Sequence, residues 1–263
     1  MYYTSLNGEG AGASIENAAR AVDQRREAEQ VKGVTAMASP WVDEELRDVD
    51  LKDRRLNERL GEVLSQLGSR PTATIPAACG GHAEMTAAYR LFDNDKVDFD
   101  GVLHPHVVAT QRRIVAQPVV ILVQDTTEID LTRPDQQVLG AGPLDGGPRR
   151  GMFLHPLHAF MPDGTPLGTV SAQVWIRDDA AWLPPAQRAA KRKQTPIEQK
   201  ESQRWIDMMR QAREEARRSP HTPFVAVADS EADIYELLAE AQADGQEVDW
   251  IVRACRDRVV EDG

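Results

Sequence analysis

The sequence contains little cysteine, few aromatic residues and no long apolar run. Cys79 and Cys255 are its two cysteines among 263 residues, and aromatic residues make up 5%. Two distant cysteines without a CxxC spacing exclude a disulfide-rich extracellular scaffold and offer no zinc-finger framework. No uncharged stretch approaches the roughly 20 apolar residues of a membrane helix, and the first residues lack the pattern of a secretion signal. We therefore expect a cytoplasmic protein that does not contact membranes.

Basic residues are also in the minority. The chain carries 31 Lys and Arg against 42 Asp and Glu, which gives a formal charge of -11. Such acidity does not indicate nucleic-acid binding, although a local basic face is compatible with it. The one basic block runs from Arg188 to Arg218 between acidic stretches, and its simplest interpretation is the solvated face of a helix.

The composition changes along the chain and predicts three regions. Residues 1–36 are rich in small and polar residues with almost no large apolar ones, so we expect a disordered tail. Residues 37–117 show helical periodicity and predict a small all-helical domain, whereas residues 118–263 show strand patterns and predict a mixed α/β domain. Within the helical region, Gly68 is predicted to end one helix and Pro105 to begin a later one.

Three arginines lie on the first long helix of this region. Arg54, Arg55 and Arg59 point away from its apolar stripe, where they could contact phosphates. From spacing alone, an ordinary solvated face is the simpler interpretation.

Strand-like segments begin after Pro118. A continuous apolar run there is typical of a strand buried on both faces, and two alternating segments around Pro162–Gly164 predict a β-hairpin. Ser230 with Asp233 is predicted to cap a later helix. In chain order the predicted elements are strands Val119–Val123, Phe153–Ala159 and Val170–Ile176, helix Lys200–Arg218, strand Phe224–Ala228, a helix after Ser230, and strand Trp250–Cys255. Hairpin links followed by helical crossovers favour a mixed five-stranded sheet, in the order of ribonuclease-H-like nuclease folds.

Two aspartates follow buried strands at equivalent places. Asp125 follows the first strand and Asp229 the fourth, so their carboxylates share one sheet edge if these strands are parallel neighbours. Two carboxylates at such a short distance repel each other unless a cation lies between them, and Mg²⁺ prefers oxygen ligands of this kind. A pair of these ions can activate an attacking hydroxyl and stabilise the leaving oxygen of a phosphodiester. Each aspartate alone is more simply a helix cap or turn residue, but their matching positions favour metal binding.

Other motifs are weaker. His155 and His158 lie on opposite faces of a predicted strand, which is poor geometry for a shared metal. The segment Gly140–Pro143 superficially resembles a dinucleotide loop, but it follows no clear strand and opens no helix, which favours a plain loop. No serine, cysteine or lysine lies in a recognisable nucleophile motif.

A series of short blocks extends from about residue 41 to the end of the chain. The blocks are Trp41–Leu46, Asp53–Arg55 with Arg59 and Leu60, Ala87–Phe92, Asp125–Thr127, Arg150 and Gly151 with His155, Lys200–Ser202 with Trp205, Asp229–Tyr235, and Trp250–Arg253. In type, order and rough spacing they resemble the DDE transposases of bacterial insertion sequences. The most similar group excises its element through a DNA hairpin intermediate, as the enzyme of the kanamycin-resistance composite transposon does.

This resemblance implies a function, a cofactor and a set of site residues. It implies metal-dependent DNA cleavage and strand transfer by a ribonuclease-H-like core, with Mg²⁺ as the cofactor and Mn²⁺ as its substitute. The implied residues are the catalytic metal ligands Asp125 and Asp229 and the DNA-contacting arginines Arg54, Arg55, Arg59 and Arg253. The implied partners are double-stranded transposon ends in the bacterial nucleoid and, for the full-length protein, a second copy of itself.

One part of the family pattern is missing from the sequence. The family's third metal ligand is a Glu on a later helix, within a Tyr-Arg…Glu…Lys signature, and the chain stops at Gly263 before such a signature. Glu261 and Asp262 lie in a charged tail without that context, so we assign no third catalytic Glu. We therefore expect a core truncated before its last helix and impaired in catalysis.

Two other functions fit parts of the sequence. A DNA-binding regulator of transposition would keep recognition of the element ends without catalysis. A phosphotransferase similar to haloacid dehalogenases would need a second Asp two places after the first, where this chain has Thr127. The phosphotransferase therefore ranks low.

Overall fold

The computed structural model describes residues 39–133, 135–136, 138–178, 194–242 and 247–257. The predicted tail over 1–36, the start of the basic block at Arg188, and the residues Glu261 and Asp262 lie outside the described residues. The described chain forms two compact units, one of residues 39–44 and 54–94 and one of residues 45–53 and 95–257.

The first unit is helical. Its helices are α1 (Pro40–Glu45), which ends at the unit boundary, α2 (Arg54–Ser69), α3 (Ile75–Ala78) and α4 (His82–Phe92). Few side chains are buried, among them Leu60 on α2 and Leu91 on α4. The prediction that Gly68 ends its helix is wrong, because α2 continues to Ser69. Gly68 instead lies against the indole of Trp41, where a β-carbon would collide with the ring.

The second unit is built on a mixed sheet of seven strands within its described residues. Helix α5 (Phe99–Ile114) precedes the strands, α6 (Gln203–Arg218) links β5 to β6, and α7 (Tyr235–Gln242) links β6 to β7. The strands are β1 (Val120–Gln124), β2 (Thr127–Asp130), β3 (Gly142–Pro143), β4 (Arg150–Phe160), β5 (Pro166–Trp175), β6 (Phe224–Ala228) and β7 (Asp249–Val252).

The long strand β4 organises this sheet. It pairs antiparallel with β5 along its length and with β1, β2 and β3 over shorter segments. On the other side of β1, the strands β6 and β7 follow in parallel. The central order is therefore β5-β4-β1-β6-β7.

The apolar core lies under one face of the sheet. Strands β1 and β6 alternate fully buried and half-buried residues, so one of their faces is covered. Helix α6 supplies Trp205, Met208 and Met209 to this core, which also includes Leu122, Leu157, Phe224 and Leu237. Among the described residues, no helix is both long and apolar enough to span a bilayer.

The hairpin, the strand Phe224–Ala228 and the two crossover helices are confirmed. The later helical start was wrong: α5 begins at Phe99, where the Asp98 side chain accepts a hydrogen bond from Gly101 N (2.7 Å), and Pro105 lies inside the helix. Because α5 packs on β5, it belongs to the second unit, whereas the sequence placed the domain boundary after residue 117.

Three smaller predictions about the sheet unit are also corrected. The sheet has two additional short strands, β2 and β3, on the edge of β4, and the last strand ends at Val252 rather than Cys255. Ser230 opens a 3₁₀ turn that Asp229 caps, rather than capping a helix itself. The Asp233 carboxylate instead accepts hydrogen bonds from the backbone of Cys255 (2.8 Å) and Arg256 (3.0 Å), so it anchors the segment after β7.

Candidate active site

Strands β1 and β6 bring the two sequence-predicted aspartates to the same edge of the sheet. The strands are parallel neighbours, and their register pairs Gln124 with Ala228. Asp125 and Asp229 directly follow these two residues, and neighbouring strands lie about 4.8 Å apart. The parallel adjacency on which the predicted carboxylate pair depends is therefore present, and its role in metal binding stays a prediction.

Each aspartate uses one carboxylate oxygen to stabilise its own loop. Asp125 Oδ1 accepts a hydrogen bond from Thr126 N (2.7 Å), and Asp229 Oδ1 accepts one from Glu231 N (2.8 Å). The second bond caps the short 3₁₀ turn Ser230–Ala232. These are the turn and helix-cap roles that the sequence favours as the simpler interpretation of each aspartate taken alone. Within the described part of the chain, Oδ2 of both side chains makes no hydrogen bond or ion pair, so it can still bind a ligand.

Arg204, on α6, joins the loops that follow β1 and β6. Its Nε donates to Thr126 Oγ1 (2.8 Å), and its Nη2 donates to Glu231 Oε2 (3.0 Å). The side chain is 12% exposed, and its guanidinium carbon lies 5.4 Å from the ring centre of Trp175 and 5.3 Å from that of Trp205. Burial lowers the pKa of Arg204, and the negative charge of Glu231 opposes this shift.

His155, on β4, lies fully buried behind the first of these loops. Since the amide oxygen of Gln124 can only accept, His155 Nε2 donates to it (3.3 Å), and this leaves Nδ1 of the neutral ring to accept from the Thr126 hydroxyl (2.9 Å). The ring also meets Trp205 edge-on, with 4.6 Å between ring centres. Burial, and then the charge of Arg204, lower the pKa of His155 to about 4, so the imidazole is neutral near pH 7.

Sequence reasoning did not identify Arg204, Gln124 or Thr126 as site residues. Gln124 carried a signal, because it is a polar residue that ends an otherwise apolar strand and is nevertheless 1% exposed. Arg204 directly precedes the buried Trp205, which could have marked it as a side chain at the edge of the core.

The donor set at the sheet edge fits a hard divalent cation with few protein ligands. Mg²⁺ keeps several waters and commonly binds only one or two carboxylates, which Asp125 and Asp229 can supply. Across residues 39–257, apart from the positions outside the described ranges, no group of three or more His, Cys, Asp or Glu side chains is placed to hold a metal. Both nitrogens of His155 are engaged, and His158 contacts Thr169 Oγ1 (2.9 Å) from its Nδ1. The site therefore offers two carboxylates and no histidine.

The arginines predicted to contact DNA on α2 are accessible but share their helix with acids. Arg54 Nε lies 3.5 Å from Glu58 Oε1, and Arg59 Nη1 lies 2.5 Å from Glu62 Oε2. Arg55 is exposed. Ion pairs at such solvated positions contribute about 0–1 kcal/mol, so a phosphate can replace either glutamate.

Arg253 lies near the aspartates in the sheet unit. It directly follows β7, and its backbone nitrogen donates to the carbonyl of Ala228 (3.1 Å), the residue before Asp229. Its side chain is exposed. The sequence-predicted DNA contact therefore begins at the same sheet edge as the carboxylates.

The described part of the basic block lies on α6 and is largely neutralised within the fold. Arg210 Nη2 and Arg213 Nη1 each lie 2.9 Å from a carboxylate oxygen of Glu240, and Arg217 Nε lies 3.2 Å from Glu247. These pairs support the simpler interpretation of the block, a helix face whose charges are satisfied by neighbouring acids.

Comparison with known proteins bears on the helical unit. Residues 38–97 match the family model described as transposase DNA-binding, and this range includes α1 to α4. The comparison with curated proteins gave no match. The match supports a transposase-related DNA-binding role for this region of the chain.

Proposed function

We propose that the protein acts in DNA transposition as a DDE-type transposase. Residues 38–97 bind transposon-end DNA, and Asp125 with Asp229 holds the divalent ion for DNA cleavage and strand transfer. The observation that carries the proposal is the combination, in one chain, of the transposase DNA-binding match and two aspartates at the ends of adjacent parallel strands.

The strand order supports a ribonuclease-H-like core for the sheet unit. The first three long strands, β1, β4 and β5, form an antiparallel meander, and two helical crossovers then add β6 and β7 parallel to β1. This is the succession that the sequence led us to expect for that class of nucleases. It is also the arrangement that puts both aspartates at carboxyl ends of neighbouring strands.

The chain's own residues set how the site would work. When bound, Mg²⁺ or Mn²⁺ would activate the attacking hydroxyl and stabilise the leaving oxygen of the phosphodiester. Asp125 and Asp229 would bind the ion through the carboxylate oxygens that do not cap their loops. Arg253, beside them, would contact the DNA backbone. Because a third carboxylate is not placed with them among the described residues, we expect weak metal binding and slow cleavage.

A DNA-binding regulator of transposition is the second candidate function. Two observations favour it: the family match covers the DNA-binding region, and the described residues supply two carboxylates rather than three. Such a regulator needs the helical unit to bind DNA but does not need Asp125 or Asp229.

The carboxylates are tested by nicking of supercoiled plasmid DNA in Mg²⁺ and in Mn²⁺. We expect the wild-type chain to nick slowly and the double variant Asp125→Asn, Asp229→Asn to lose nicking while binding a labelled DNA duplex as before. Asparagine keeps the size and the capping oxygen of each side chain but removes the charge, so the folded state is preserved. Nicking that persists in the double variant would contradict the assignment, and duplex binding by a wild-type chain that never nicks would favour the regulator.

The DNA-binding face is tested by the salt dependence of binding to the same duplex. Replacing Arg54, Arg55 and Arg59 by Gln should weaken binding and reduce the slope of log K against log salt by up to about 0.9 per lost phosphate contact. The matched variant on the same helix, Glu58→Gln with Glu62→Gln, should tighten binding because it removes competitors for two of these arginines. Equal binding by all three proteins would exclude α2 from the interface.

A further inference from the structure

We propose that Arg204 is a positioning residue that holds the loops after β1 and β6 so that one divalent cation can bind Asp125 and Asp229 together. The inference rests on the proposed function, because it presupposes that the two aspartates share an ion. It adds a residue that neither the sequence motifs nor the match at residues 38–97 assign.

The loop after β1 is fixed on both sides of Asp125. The residue before it, Gln124, and the residue after it, Thr126, both bond to the same buried imidazole of His155. The same Thr126 oxygen that contacts the ring accepts a hydrogen bond from Arg204 Nε (2.8 Å). The backbone that carries Asp125 is therefore held between the core of the sheet and α6.

The loop after β6 is held by the same guanidinium. Asp229 caps the 3₁₀ turn through Glu231 N (2.8 Å), and the Glu231 carboxylate bonds to Arg204 Nη2 (3.0 Å). The Glu231 side chain is otherwise 61% exposed, so this bond is what ties the turn to α6. One side chain thus connects the residue after the first aspartate with a residue two places after the second.

Arg204 is itself rigidly held. Its Nη1 donates to the carbonyl of Glu201 (2.8 Å), and its guanidinium carbon lies 5.4 Å from the ring centre of Trp175 and 5.3 Å from that of Trp205. The planar fork therefore directs separate donors to the two loops, which a lysine ammonium cannot do from one point. Such an arrangement favours ion binding because both loops are already ordered before the ion binds, so binding does not carry the entropic cost of ordering them.

The proposal is tested by Mn²⁺ binding, measured from the electron paramagnetic resonance signal of free Mn²⁺, without any DNA. Loss of supporting contacts around metal ligands typically weakens metal binding by about 10–100-fold. We expect Arg204→Gln to weaken Mn²⁺ binding at least about tenfold and Arg204→Lys to restore it only in part. Thr126→Val should resemble Arg204→Gln, whereas Thr126→Ser keeps the hydroxyl and should bind Mn²⁺ like the wild type.

The matched control is Arg210→Gln. Arg210 lies on the same helix and pairs with Glu240 (2.9 Å), away from both loops, so this variant should bind Mn²⁺ like the wild type. Thermal unfolding of every variant shows whether it is folded; if Arg204→Gln is not, the comparison of Thr126→Val with Thr126→Ser decides.

The outcomes separate this inference from the proposed function. The positioning role alone would be overturned by the following result. Mn²⁺ binding is lost in the double variant Asp125→Asn, Asp229→Asn but is unchanged in folded Arg204→Gln and Thr126→Val. Mn²⁺ binding that is the same in the wild type and the double asparagine variant would overturn the metal site, and with it both proposals. Equal weakening by Arg204→Gln and Arg210→Gln would show a general effect of charge and also reject the inference.

Discussion

The neutral, buried state of His155 predicts how the stability of the sheet unit changes with pH. The pKa is 6.5 in the unfolded chain and about 4 in the folded protein, so the unfolded state binds a proton first as the pH falls. The stability that this histidine contributes is therefore fully present above about pH 6.5 and is lost as the pH falls towards about 4. Between about pH 7.5 and about pH 5, this single group should lower the free energy of unfolding by about 2 kcal/mol.

Urea unfolding at these two pH values tests the prediction. The comparison is between the wild type, His155→Gln and His221→Gln, which removes an exposed histidine. The wild type and His221→Gln both keep His155, so each should lose about 2 kcal/mol more than His155→Gln over this range.

The same prediction can be checked on the wild type alone. The imidazole proton resonances of His155 should stay at neutral-ring positions down to about pH 5. Equal pH dependence of unfolding in wild type and His155→Gln, or an imidazole that titrates near its ordinary pKa, would refute the reasoning. It would show that burial and the charge of Arg204 do not hold the ring neutral.

Three further predictions concern packing, charge and reactivity. Gly151→Ala would place a methyl group directly against a backbone carbonyl of β2, so it should lower the free energy of unfolding by about 3 kcal/mol. The control Gly80→Ala meets no neighbour and should change this free energy by less than about 0.5 kcal/mol. Thermal unfolding measures both. Burial raises the pKa of Glu215, so Glu215→Gln should stabilise the protein at about pH 7.5 in urea unfolding, and the gain should shrink as the pH falls and the carboxyl becomes protonated. A thiol reagent should modify exposed Cys255 in the native protein and buried Cys79 only after denaturation; equal rates would contradict the packing around Cys79.

The sequence predicted the parts of the sheet that have a local signal. Apolar runs predicted β1 and β6 as strands, although β1, predicted to be buried on both faces, is fully buried on only one. An aspartate after each strand suggested a shared edge, which the parallel register provides. The hairpin of β4 and β5 followed from alternation around Pro162–Gly164. These features were predictable because burial of a regular strand imposes a regular pattern on the residues that form it.

The remaining features depend on partners that are distant in the chain. Arg204 and Thr126 are 78 residues apart, and nothing near either residue indicates that they bond. Strands β2 and β3 are short and lie at the edge of β4, so they carry little apolar periodicity. Pro105 is typical of a first helical turn but lies inside α5, whose start is capped by the side chain of Asp98 before Phe99.

The pairing of β1 with β6 has a consequence during synthesis of the chain, because the candidate site forms only after both strands have been made. The two aspartates are far apart in the chain, and ribosomes add about 5–20 residues per second. On the order of 5–20 seconds therefore passes between synthesis of the first carboxylate and of the second. During that interval a nascent chain already carries the helical unit but does not yet have the carboxylate pair. Under the proposed function, DNA recognition would therefore precede any capacity for strand cleavage.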